Sequence, residues 1–106
     1  MIPHIAARDL AAQLEGPEPP RLLDVREAWE WDQVRLPGAE LVPLSSLPEA
    51  LPRLEREATW VVYCHHGVRS LHAVGYMQAQ GFPRVANLLG GIDAYAAQVD
   101  PSLPRY

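Results

Sequence analysis

Thr59-Trp60-Val61-Val62-Tyr63-Cys64-His65-His66-Gly67-Val68-Arg69-Ser70 passes from a β-branched and aromatic run, through the chain's single cysteine, into a short loop and then a helical pattern. The run from Thr59 to Tyr63 reads as a buried strand. It delivers Cys64 into a loop whose next regular element is a helix, predicted over 70–80 with Leu71, Val74, Tyr76 and Met77 among its apolar positions and Gly81 as its stop. A strand that feeds a helix through a short loop is one unit of an α/β layer structure.

The same alternation extends in both directions. Upstream, Arg21 to Val25 is a compact apolar run predicted as a second buried strand, and 27–34 as a short helix turning Trp31 and Val34 inward. Leu36-Pro37-Gly38-Ala39 is a turn, and Glu40 to Val42 stands where a further strand belongs. Ser46 to Glu57 is weakly helical and is broken by Pro48 and Pro52. Nearer the start, a short strand over 2–5 and a helix over 7–14 precede the loop Gly16-Pro17-Glu18-Pro19-Pro20. Downstream, Arg84 to Leu89 is the last strand, Gly90-Gly91 turns the chain, and a helix over about 92–99 leads to an irregular tail from Pro101 to Tyr106. The pattern predicts helices layered on a mostly parallel sheet, in a single domain over 1–106.

Composition excludes several alternatives. With 48% hydrophobic and 21% charged residues, the chain has the balance of a folded domain rather than a disordered one. The net charge of -4 and the scatter of its arginines offer no basic stripe for nucleic acid or an anionic membrane. One cysteine permits no internal disulfide and no multi-cysteine metal site, and a free thiol suits a reducing compartment, so a cytoplasmic protein without a membrane span is expected. Neither a cofactor nor a metal is expected: His65 and His66 are adjacent and rarely converge on one ion, and His4 and His72 are isolated.

The Cys64 loop carries the chemistry. Its backbone N–H groups, from His65 through Val68, and the following helix N-terminus form a concavity that binds anions and favours a thiolate. Gly67 permits a backbone turn closed to other residues, Arg69 offers planar donors to an anionic oxygen, and Ser70 is placed to cap the helix. The side chains of His65 and His66 are expected to project outward while their N–H groups point in. Asp24 and Arg26 sit at the end of the second strand, where parallel sheets gather functional groups. Arg26 is a candidate anion ligand, although an ion pair with Asp24 or Glu27 is the preferred reading, and Asp24 is a candidate loop-fixing acceptor. Thiosulfate fits this cradle, since a Cys64 thiolate attacking its outer sulfur would release sulfite into the amide and Arg69 donors.

Four segments in order resemble the rhodanese-like sulfurtransferase family. They are Leu23-Asp24-Val25-Arg26-Glu27, Leu36-Pro37-Gly38-Ala39, Cys64 to Ser70, and Gly81-Phe82 with Val85 and Leu88 to Gly91. The resemblance implies a five-stranded parallel sheet with helices on both faces and the active loop at the strand ends. It also implies transfer of a sulfane sulfur from thiosulfate or a persulfide donor, through a Cys64 persulfide, to a thiol or protein acceptor. A persulfide relay or partner-binding module is the alternative. Phosphatase or arsenate reductase chemistry ranks lower, because the phosphate-hydrolysing relatives carry one residue more between the cysteine and the arginine than the four found here. Tyr95 stands where the family commonly has tryptophan.

Overall fold

The computed structural model describes Met1–Tyr106, and its five strands form one all-parallel sheet in the order β1-β5-β4-β2-β3. The elements are β1 (His4–Ile5), α1 (Ala7–Leu14), β2 (Arg21–Asp24), α2 (Ala28–Gln33), β3 (Glu40–Leu41), α3 (Leu47–Ala50), β4 (Trp60–Tyr63), α4 (Val68–Ala79), β5 (Val85–Leu88) and α5 (Gly91–Gln98). Short 3₁₀ turns flank α3, where Pro48 and Pro52 deny the backbone a longer helix. No helix is long and apolar enough to cross a membrane.

Alternation along the strands divides the interior into two cores. Leu23, Val62 and Cys64 face α3 and α4, joined by Met77 and Phe82, while Leu22, Val61 and Tyr63 face α1 and α5 with Leu10 and Ile92. Both faces are covered, so β4 is buried at every residue. Each large side chain so enclosed contributes about 1.5–3 kcal/mol. Tyr95 is partly buried against the second core, filling the place of the larger aromatic common in the family.

The sheet order places the site. From β2 the chain proceeds outward to β3, whereas from β4 it proceeds to β5 on the opposite side, so the connections leaving β2 and β4 diverge. A crevice opens at the carboxyl ends of such a pair. Asp24 is paired with Tyr63 in register, which brings the residues after β2 beside the Cys64 loop.

Three local expectations are corrected. Helix α4 begins at Val68 with Gly67 as its N-cap, so Ser70 lies inside the first turn and caps nothing. Helix α2 ends at Gln33 and buries Glu30; Val34, just after it, is buried as expected, while Trp31 is only half-buried, under the Arg35 guanidinium. Tyr76 is also outside the core, with Ala73, Val74 and Met77 forming the inner stripe of α4.

Candidate functional site

Cys64 is the first residue after β4, and its sulfur points toward the start of α4. The Gly67 N–H donates to Sγ at 3.1 Å and the Ser70 N–H at 3.4 Å, with Ser70 Oγ at 3.3 Å. Two amides of the turn into a helix thus converge on one sulfur, the arrangement that stabilises negative charge there. Gly67 makes this possible with φ +102°, a conformation that side chains disfavour. A Cβ at Gly67 would also press the Gly90 nitrogen at 3.3 Å.

Helix α5 determines which way the loop faces. Its first amides take the loop carbonyls: Ile92 N–H donates to Cys64 O at 2.9 Å and Asp93 N–H to His65 O at 3.1 Å. Those two bonds fix the path of the loop between Cys64 and Gly67. Gly91 permits the close approach, since a Cβ there would lie 2.3 Å from His65 O and 2.5 Å from Cys64 O.

Asn87 ties the loop to β5. It is buried, accepts from Ser70 Oγ at 2.5 Å, and donates through Nδ2 to Gly67 O at 3.3 Å, with His4 Nδ1 3.4 Å away. A buried amide with both ends bonded holds the two residues that supply the sulfur's amide donors.

Arg69 reaches out of the loop onto Glu30, donating from Nη1 to Oε1 at 2.6 Å and from Nη2 to Oε2 at 2.9 Å. Glu30 Oε1 also accepts the Glu27 N–H at 3.0 Å, closing a capping box at the start of α2, and Oε2 accepts the Tyr106 hydroxyl at 2.7 Å. The Arg69 guanidinium, with these other donors, holds the Glu30 carboxyl at about 2, against an ordinary 4.5. Because the folded value is depressed, this stability is complete above pH 4.5 and disappears as pH falls toward 2. After screening at the part-exposed Arg69, it amounts to on the order of 2 kcal/mol. Chemical unfolding measured from pH 6 to pH 2.5 should show that loss in the native protein and a flatter profile in Glu30→Gln; equal slopes would contradict the assignment.

Arg26, considered from sequence as an anion ligand, is withdrawn from the mouth of the site. It is fully buried, with Nε and Nη2 on the Asp24 carboxylate at 2.6–3.1 Å, Nη1 on Glu30 O and Tyr106 Oη, and Nη2 also on Val34 O. Burial alone would pull its pKa down; the Asp24 and Tyr106 hydrogen bonds more than reverse this. Asp24 Oδ1 also accepts the Arg26 N–H at 2.9 Å, which shapes the chain leaving β2. Val68 is exposed at the first position of α4, and its amide is not among those that donate to the sulfur.

The two histidines behave differently. His66 is exposed, with Nε2 3.7 Å from Asp93. His65 does not project outward as expected: its ring lies between those of His66 and Tyr106, centroids 3.9 Å from each, and its Nε2 is buried without a partner. Burial, and then the neighbouring His66, lower its pKa. Ligand atoms of His65, His66 and Asp93 fall within 4.8 Å of one another, but the imidazoles stack face to face and Arg105 holds both Asp93 oxygens. Stacked rings do not aim their nitrogen lone pairs at one ion.

Glu30, Asn87, Gly91, Asp93 and Tyr106 therefore join a site in which the sequence marked Cys64, Gly67, Arg69 and Ser70. The Glu27-x-x-Glu30 spacing is a capping-box signal, and Asn87 is a polar residue within an apolar strand; both were readable. No local pattern distinguishes Tyr106.

The rhodanese-like domain model matches residues 6–98. The chain belongs to the rhodanese-like domain family. It is 38% identical over 104 residues to a Mycobacterium tuberculosis protein named "Probable adenylyltransferase/sulfurtransferase MoeZ", covering 96% of this chain and 26% of that protein. Over 96 residues it is 34% identical to a protein named "Sulfurtransferase" of Allochromatium vinosum, covering 91% of this chain and 90% of that one. The rhodanese-like domain protein of Staphylococcus aureus superposes with a TM-score of 0.86 at 28% identity, covering 99% of each chain. The chain thus spans a minor part of some multidomain relatives and nearly all of a single-domain one.

Proposed function

We propose that the rhodanese-like loop of this chain transfers sulfane sulfur through a Cys64 persulfide. The observation that carries the reading is the convergence of the Gly67 and Ser70 amides on Cys64 Sγ. In the first half-reaction the thiolate attacks the outer sulfur of thiosulfate or of a persulfide donor. A new S–S bond forms, the donor's S–S bond breaks, and sulfite or a thiolate departs with the electron pair. In the second, a thiolate or cyanide attacks the terminal sulfur and Cys64 leaves as the thiolate, held by the same two amides. Neither half needs a cofactor or an external electron source.

Arg69, in the first turn of α4, is the side-chain cation carried by this loop. Glu30 takes one N–H from each terminal nitrogen, and the remaining guanidinium N–H groups are available to a leaving sulfite. Intact-mass measurement after thiosulfate treatment should show one added sulfur, removed by cyanide and never acquired by Cys64→Ser. A native protein that takes up no sulfur from thiosulfate or from a persulfidated donor protein would end the proposal.

A relay between proteins is the second reading, because neither large cleft of the chain is formed at the Cys64 loop. Cys64 is 1% exposed, and the two large clefts, of 670 and 660 Å³, are lined by residues outside its loop, among them His4, Asp9 and Arg84 in the first and Pro20, Gly38 and Tyr95 in the second. Faster exchange with a persulfidated protein than with thiosulfate supports the relay; the reverse order supports the small-molecule reaction.

A further inference from the structure

Beyond α5 the tail returns to the site, setting Tyr106 against His65 of the Cys64 loop and Arg105 against Asp93 of α5. Arg105 donates from Nε to Asp93 Oδ1 at 2.9 Å and from Nη2 to Oδ2 at 3.1 Å. Tyr106 stacks on His65 with centroids 3.9 Å apart and planes 10° from parallel, and meets the Trp29 ring edge-on at 6.0 Å. Its hydroxyl accepts from Arg26 Nη1 at 2.8 Å and donates to Glu30 Oε2 at 2.7 Å. Burial and the Glu30 charge push the phenol up to about 12, so it keeps its proton and its role as donor.

The tyrosine ring covers the His65 side of the loop. His65 directly follows Cys64, and Glu30 is the carboxylate that grips Arg69. Arg105 and Tyr106 are bonded to the site through their side chains. The covered state also carries a defect. His65 Nε2 is buried beside the tyrosine with no hydrogen-bond partner, an unfavourable condition that water relieves once the tail lifts. A cover that leaves a polar atom unsatisfied is one that a competing molecule displaces readily.

We propose that Tyr106 is the access-determining residue of this site: seated on His65 between Trp29, Arg26 and Glu30, it admits slender reagents to Cys64 and must swing away before a bulky one reaches the sulfur. The inference deepens the Cys64 reading, since access matters because that sulfur reacts, but it concerns the approach and not the identity of the donor. For a protein donor or acceptor, the tail must leave. For thiosulfate or cyanide it need not.

Alkylation of Cys64 separates the two ideas, because it requires a reachable thiol and no sulfur transfer. Second-order rate constants would be measured for iodoacetamide and for a pyrene maleimide on the native chain, Tyr106→Phe, Tyr106→Ala and Arg105→Ala, with Cys64→Ser as the blank. Tyr106→Ala should accelerate the maleimide by about tenfold or more while iodoacetamide changes less than threefold, the factor expected where an open state limited to a tenth of the population becomes dominant. Tyr106→Phe keeps the stack and loses both hydroxyl bonds, so it should fall between native and alanine. Arg105→Ala should shift the same ratio while leaving the tyrosine in place. Unchanged ratios, or equal acceleration of both reagents, would overturn the proposal, as would a Cys64 that neither reagent modifies even in Tyr106→Ala. The sulfur-uptake measurement is independent of all these outcomes, so a failed gate does not count against persulfide chemistry.

Discussion

Gly91→Ala is expected to lower the rate of sulfur uptake by Cys64 about 100-fold, the loss that a displacement near 1 Å causes in a positioned reacting group. The added methyl would stand 2.3 Å from the His65 carbonyl oxygen and 2.5 Å from that of Cys64, both backbone atoms that no rotamer change can move aside. The φ of +64° at Gly91 adds strain for any side chain. Either α5 retreats or the loop does, and in both cases the bonds from Ile92 and Asp93 to the loop carbonyls lengthen. The loop between Cys64 and Gly67 then loses the anchors that fix its path beside the sulfur. Persulfide formation would be followed by intact mass at a fixed thiosulfate concentration, with circular dichroism to show that the fold persists. A folded variant that takes up sulfur at the native rate would show that the contact between α5 and the loop does not orient the site.

Asp24→Ala should destabilise the domain by roughly 3–5 kcal/mol, because it leaves the fully buried Arg26 guanidinium without its counter-charge. Three side-chain contacts at 2.6–3.1 Å vanish together, along with the Asp24 acceptor for the Arg26 N–H. The pair's own contribution relative to a well-packed apolar pair is far smaller, so Asp24→Ala combined with Arg26→Leu should recover much of the loss. Urea unfolding of the three proteins measures both statements. A loss below about 1 kcal/mol in the single variant, the range of an exposed pair, would refute the assignment. Since Arg26 also anchors Tyr106, the single variant should additionally loosen the tail.

Much of the architecture was legible because local pattern and tertiary demand coincide. The β-branched run ending at Tyr63 is buried on both faces, and α1 covers the 7–14 segment that its apolar spacing predicted. The misreadings occur where a residue's partner is remote. Ser70 was a plausible cap from its place beside a helix, yet its hydroxyl goes to Asn87, 17 residues away. The apolar pattern points Trp31 inward on α2, but the pairing with Arg69, 39 residues beyond Glu30, buries the Glu30 carboxylate instead.

The order of apolar runs, the glycines and the lone cysteine are enough to specify a parallel α/β domain with its thiol at a strand end, because burial and backbone sterics act through residues close in the chain. The direction of the loop amides, the withdrawal of Arg26 and the seat of Tyr106 on His65 come from contacts between segments separated by up to 80 positions. Such contacts depend on which strand ends lie side by side, and that is settled when the sheet closes.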